Sequence, residues 1–240
     1  MSASTSRRSA RPATSANLRK HTSRNPFQRR LISRFHARIA AQLADLTAAE
    51  PVRPRIADLG CGEGFTLEYL ALRFPDWELS GIDADPDALA IASLRVAGVQ
   101  FSQGTLEDLP LPDRSVDVGL CLEVLEHLPD PAAGLREVLR VSRFAIVSVP
   151  HQPFFAAANL ARGRNWRTAG DDPDHLHHWT AGGFARWLTR YGAVRRLDRA
   201  FPWLIGVVDA VPSPQIWVPG TGSGVWTPDP VVLGSAGSSG

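Results

Sequence analysis

Lysine is all but missing from these 240 residues: one stands against twenty-five arginines. No folding requirement asks for that ratio, and it reads as the trace of a GC-rich bacterial genome. Cysteine occurs only twice, at Cys61 and Cys121, which argues against a disulfide framework and for a reducing, cytoplasmic setting. No apolar stretch reaches the roughly 18 residues that a membrane-spanning helix needs. Nor does an apolar core follow a charged start, as it would in a secretory signal. A transmembrane segment is therefore not expected, although peripheral membrane contact stays open. Acid is absent from residues 1–44, which hold ten Lys+Arg; the remainder holds 16 Lys+Arg against 24 Asp+Glu. The net +2 is thus a basic leader on an acidic body.

The leader, residues 1–24, is built from Ser, Thr, Ala and Arg, which bury nothing, and is expected to be disordered. Its functional readings are an RNA-seeking or membrane-seeking arm, or an organellar presequence. One folded domain is expected over 25–211, because a chain that is 44% hydrophobic can bury one sizeable core. It opens with a helix over 25–44, capped by Asn25 and started by Pro26. There Phe27, Leu31, Phe35, Ile39 and Leu43 recur every fourth residue beside a stripe of Arg30, Arg34 and Arg38. From Arg55, apolar runs ending in Gly or Asp alternate with helical patterns, among them two opened by Asp-Pro at Asp85–Pro86 and Asp130–Pro131. That alternation predicts an α/β, doubly wound and mostly parallel sheet with helices on both faces. Residues 151–179 break the rhythm as a long insertion on the acceptor side. Thr180 then caps another helix, and "AVRRLDRA" and "WLIGVVDA" are expected to close the sheet. Residues 212–240 are rich in Pro and Gly and read as a flexible tail.

The chemistry begins at "DLGCGEGF", residues 58–65. In open parallel sheets, ligands lie beyond the carboxyl ends of strands where the strand order reverses. Gly60, Gly62 and Gly64 let the main chain bend sharply and approach a ligand without a Cβ between them. A nicotinamide cofactor prefers G-x-G-x-x-G, and its third glycine would fall at Phe65. The spacing present is G-x-G-x-G, with Asp58 at the strand end. That arrangement suits the ammonium, sulfonium and carboxylate of S-adenosylmethionine better than pyrophosphate. Asp83, followed by Ala84, ends the second strand, where an acid accepts ribose hydroxyls; Asp85 already supplies the helix cap. After the third strand, Glu107 or Asp108 is placed to reach the adenine amino group, with Leu106 on the ring. Leu122 is placed to cover the other face, and Cys61 to pack nearby as a small apolar group.

The ordered set "DLGCGEG", "GIDAD", "GTLEDLP" and "SVDVGLCLEVLEHL" resembles the class I S-adenosylmethionine-dependent methyltransferases, above all the type 11 and ubiquinone-biosynthesis O-methyltransferase groups. The resemblance covers residues 55–150. It implies a Rossmann-like seven-stranded sheet whose last strand is antiparallel, S-adenosyl-L-methionine as cofactor, and cofactor contacts at the Gly60 turn, Asp83 and Leu122. Thr105 departs from the Asp usual at its position. Further on, "SVPHQPFFAAANLARGRNW" and "DHLHHWT" are similar to a subgroup of small bacterial methyltransferases, and His177–Trp179 matches an H-x-W near the acceptor of quinone O-methyltransferases.

Methyl transfer from a sulfonium is an in-line displacement with a good, neutral leaving group, so alignment supplies most of the catalysis. A base is needed when the acceptor carries a proton that must leave. His177, His175, His151 and His127 are the candidates, while Arg162, Arg164 and Arg167 suit an anionic acceptor. His175 and His177, with Asp171, Asp172 or Asp174, have metal-like spacing, but such spacing is common and no cysteine joins them, so no metal is expected. The leading expectation is methyl transfer to a small-molecule oxygen: phenolic, quinol-like or glycosyl. The alternatives are an RNA methyltransferase using the leader as an arm, and a non-catalytic binder of the same cofactor. No Asn-Pro-Pro-Tyr-type motif for a flipped base follows strand four, and nothing points to a particular oligomeric state.

Overall fold

The computed structural model describes residues 18, 21–48, 53–152, 154 and 175–210, and the main chain of 215–218 and 223–228. Helix α1 spans Pro26–Thr47, and the Asn25 side chain accepts from the N–H groups of Phe27 and Gln28 at 2.9 and 3.4 Å. Its inward side carries Phe35, Ile39 and Leu43. Phe27, expected on the same face, is 58% exposed. The physical reason is pitch: a four-residue repeat drifts about 40° per step against a 3.6-residue turn, so three steps from Ile39 leave the core face.

The parallel strands are β1 (Arg55–Leu59), β2 (Glu78–Asp83), β3 (Gln100–Gln103), β4 (Val116–Leu122) and β5 (Ser142–Pro150). Between them run α2 (Phe65–Arg73), α3 (Pro86–Arg95) and α4 (Pro131–Val141). The Asp85 and Asp130 carboxylates cap α3 and α4 as the Asp-Pro pairs suggest. Helix α5 (Ala181–Leu188) is capped by Thr180, and β6 (Ala193–Ala200) and β7 (Trp203–Asp209) follow.

All seven expected strands are present, in the order β3-β2-β1-β4-β5-β7-β6, with β7 antiparallel to both neighbours. Two more, β8 (Gln215–Val218) and β9 (Ser223–Pro228), continue the sheet beyond β6. They correct the flexible-tail reading of 212–240 at 215–218 and 223–228; its other residues lie outside the described residues. Composition averaged over that stretch hid "QIWV" and "SGVWTP", whose aromatic and β-branched residues favour strand.

One face of the sheet is packed by α4 and α5 through Leu135, Val138, Phe184 and Leu188. The other is packed by α1, α2 and α3 through Ile39, Leu43, Leu67, Leu70 and Leu89. Strand order reverses between β1 and β4, so the crevice opens at the carboxyl end of β1. The end of the leader reaches it. The Thr22 N–H donates to the Leu18 carbonyl at 2.9 Å, and the His21 ring stacks on Phe65 with centroids 4.1 Å apart. This corrects the boundary of the disordered reading at its carboxyl end; residues 1–17, 19 and 20 lie outside the described residues.

Candidate functional site

The glycine turn is held by main-chain and carboxylate contacts from β2. The N–H groups of Gly60 and Cys61 both donate to the Ile82 carbonyl, at 2.7 and 3.0 Å. Gly62 N–H donates to Asp83 Oδ2 at 2.7 Å, and Asp85 N–H to Asp83 Oδ1 at 2.9 Å. One carboxylate therefore fastens the first turn to the second. Gly60, Gly62 and Gly64 have φ of 89°, 51° and 78°, a region glycine enters without steric cost. At Gly60 a Cβ would stand 2.5 Å from Val124 Cγ2, so Val124 lies directly over the turn. Asp58 is buried at the end of β1, and burial first, then the Asp83 charge, push its carboxyl up to about 7. Two acids meeting beneath a bare turn favour a cationic ligand.

The other cofactor candidates lie around this centre. Ala84 is exposed, and its carbonyl accepts from Gln103 Nε2 at 3.1 Å. Leu106 is buried in the core, where its side chain meets the space above Gly134 of α4. Glu107 and Asp108 are exposed, and Leu122 is half-buried at the end of β4. Cys61 is buried, and burial, followed by the charge of Asp58, drives its thiol far above the usual range, so it acts as an apolar group.

On the acceptor side the structure divides the four histidines. Beyond β4 a 3₁₀ turn, Leu125–His127, is met by the segment 175–179. The N–H groups of Leu176 and His177 donate to the Glu126 carbonyl at 2.8 and 3.3 Å. His127 and His175 face each other edge-on, ring centroids 5.0 Å apart, and their nitrogens lie with a Glu126 carboxylate oxygen within 4.8 Å of one another. His177 points instead to the Leu128 carbonyl, with Nε2 at 3.0 Å. His151 directly follows β5, pairs with Trp179 in a one-residue bridge, and has its pKa lowered by burial and then by Arg199. Arg162, Arg164, Arg167, Asp171, Asp172 and Asp174 lie outside the described residues.

Residues 57–144 match the family model described as "Methyltransferase domain". The uncharacterized methyltransferase YcgJ of Bacillus subtilis is 33% identical over 190 residues, which cover 72% of this chain and 70% of that protein. The chain belongs to the S-adenosylmethionine-dependent methyltransferases. The ubiquinone biosynthesis O-methyltransferase of Pseudomonas savastanoi pv. phaseolicola is 36% identical over 111 residues, 44% of each chain. With several other curated methyltransferases, the matched stretch spans only 37–40% of the relative's length. Among solved structures, the plantazolicin methyltransferase BpumL superposes with a TM-score of 0.62 at 16% identity, covering 77% of this chain and 90% of that one. That likeness speaks to the fold alone.

Three features of this methyltransferase's site were not read from sequence. Arg95, at the end of α3, donates through Nε to the Glu63 carbonyl at 2.9 Å and lies 3.9 Å over the Phe65 ring. It anchors the glycine turn from 32 residues away. Glu123 has φ of 61°, and its carboxylate accepts from Ser148 Oγ and Trp203 Nε1 across the ends of β5 and β7. Arg140 holds the loop after Glu107 and Asp108, reaching the Leu109 and Leu111 carbonyls at 3.1 and 2.9 Å. The only sequence signal for these was their residue type.

Proposed function

We propose that this methyltransferase moves the methyl group of S-adenosylmethionine to an oxygen of a small-molecule acceptor, phenolic, quinol-like or glycosyl. The observation that carries the donor half is the Asp58–Asp83 pair under the Gly60–Gly64 turn. The donor's carboxylate is placed against the bare turn and the start of α2. Its ammonium faces Asp58, and its ribose hydroxyls share the remaining lone pairs of Asp83. Leu106, Glu107 and Leu122 bound the adenine end. The sulfonium methyl is then aimed past Val124 toward the 3₁₀ turn.

The acceptor oxygen attacks the methyl carbon along the line of the C–S bond. An O–C bond forms, and the C–S electron pair returns to sulfur as a neutral thioether. Alignment and exclusion of water supply the larger share of the acceleration. His151 is kept neutral by burial beside Arg199, so it is suited to accept the proton that the acceptor loses. An oxygen acceptor is supported by these histidines and by the relative named for ubiquinone O-methylation.

The test is incubation with methyl-labelled S-adenosylmethionine and a panel of phenols, quinols and glycosides. Label in an ether product supports the proposal. Label in nitrogen or carbon products alone overturns the oxygen assignment, and absence of any donor binding overturns the whole reading.

A further inference from the structure

We propose that His21 is a positioning residue of the donor site: its ring, stacked on Phe65, holds the end of the leader as a strap beside the donor's amino-acid tail and slows the donor's escape. The inference rests on the donor reading above and deepens it, by adding to the glycine turn a closure that comes from outside the sheet. Phe65 directly follows Gly64 and opens α2. Whatever rests on its ring therefore lies beside the helix start against which the donor's carboxylate is placed.

The Phe65 ring is held from both faces. The His21 ring lies nearly parallel to it, with 11° between planes and 4.1 Å between centroids. The Arg95 guanidinium carbon lies 3.9 Å from the same centroid. Two groups that close cannot share one face of a ring, so Phe65 is sandwiched between them. Arg95 is tied to the turn through the Glu63 carbonyl at 2.9 Å and to α2 through Glu68 Oε2 at 3.2 Å. One face of Phe65 thus belongs to the donor site, and the leader takes the other.

His21 also stacks toward His36 of α1, centroids 5.4 Å apart, and His36 meets Tyr69 of α2 at 5.3 Å. The run Phe65–His21–His36–Tyr69 crosses the seam between α1 and α2. Around His21 the chain is pinned on both sides. The Thr22 N–H and Oγ1 both donate to the Leu18 carbonyl, at 2.9 and 2.7 Å. Asn25 N–H donates to Ser23 Oγ at 3.3 Å, and the Asn25 side chain caps α1. A single aromatic pair supplies roughly a 2- to 12-fold bias. That is weak enough to open for donor entry and strong enough to slow its exit. The coupling is reciprocal: a strap that retains the donor is retained by it, by the same factor.

The test uses full-length protein and S-adenosylhomocysteine, with affinity from calorimetry and dissociation rate from stopped-flow competition. His21→Ala should release the ligand about 3- to 10-fold faster and bind it correspondingly more weakly, with the association rate no slower. His21→Phe, which keeps a stacking ring, should return most of the loss. In a Phe65→Ala background, His21→Ala should add less than about twofold, because the two residues act as one pair. Trypsin supplies the reciprocal readout, since Arg24 is exposed. Saturating S-adenosylhomocysteine should slow cleavage after Arg24 by about 3- to 10-fold in wild type and leave it unchanged in His21→Ala. Equal dissociation rates in wild type and His21→Ala, an undiminished effect of His21→Ala in the Phe65→Ala background, or cleavage after Arg24 indifferent to ligand overturns the strap while leaving the donor reading intact. Failure of wild type to bind S-adenosylhomocysteine overturns the donor reading and the strap with it.

Discussion

Asp83 Oδ2 accepts the Gly62 N–H at 2.7 Å, so the acid assigned to the ribose also fastens the turn assigned to the methionine end. Removing it strikes both halves of the donor site. Asp83→Ala should weaken S-adenosylhomocysteine binding by roughly 2–3 kcal/mol, the scale of a lost hydrogen bond to a charged group. Asp83→Asn, which keeps an acceptor oxygen for Gly62, should lose less. Calorimetry on the two variants checks the order, and equal affinity for wild type and Asp83→Ala would remove the ribose assignment.

Gly60 is constrained twice, by φ of 89° and by Val124 Cγ2 at 2.5 Å from any added Cβ. Gly60→Ala should cost about 1–2 kcal/mol for the left-handed backbone and about 1–3 kcal/mol for overpacking. Adding Val124→Ala should return the packing part and leave the backbone part. Urea unfolding of the single and double variants measures this, and a double variant no more stable than Gly60→Ala would show that Val124 does not crowd the turn.

How far these features could be read in advance depended on range. The caps Asn25, Asp85, Asp130 and Thr180 were legible because each needs only its own side chain and the next three N–H groups. The glycine turn was legible because alternate glycines before a helix leave few other uses. Arg95 at the Glu63 carbonyl, Glu123 under Trp203 and His175 beside His127 were not, since each pairing joins residues 32 to 80 positions apart. Among the four candidate histidines the sequence singled out His177, through its H-x-W match, and left open which one acts as base. Folding gives His177 a main-chain carbonyl, His151 a place at the end of β5, and His127 and His175 to each other.

The Asp58 carboxyl titrates at about 7 in the folded chain, against an ordinary value of 3.8. The folded state therefore holds a proton that the unfolded chain has already released. That stability is fully present below the unfolded value and is lost as pH rises through about 7. A cationic ligand favours the ionised form and should reverse the trend. Between about pH 6 and pH 8 the melting temperature of ligand-free protein should fall while the increment from S-adenosylhomocysteine grows. In Asp58→Asn both slopes should flatten. A ligand increment equally pH-dependent in wild type and Asp58→Asn would show that another group is responsible.

His177 braces the acceptor-side segment through the Leu128 carbonyl, 3.0 Å from its Nε2. His177→Ala should lower stability by about 1 kcal/mol, leave S-adenosylhomocysteine affinity unchanged and reduce turnover. Weakened donor binding with normal turnover would contradict an acceptor-side role.

The most direct measurement is a crystal structure of the protein soaked with S-adenosylhomocysteine. The amino-acid tail is expected against the Gly60–Gly64 turn and the start of α2 with its ammonium toward Asp58, and the ribose hydroxyls within hydrogen-bond reach of Asp83. Density for the ligand elsewhere, or an empty crevice at saturating ligand, would contradict the account.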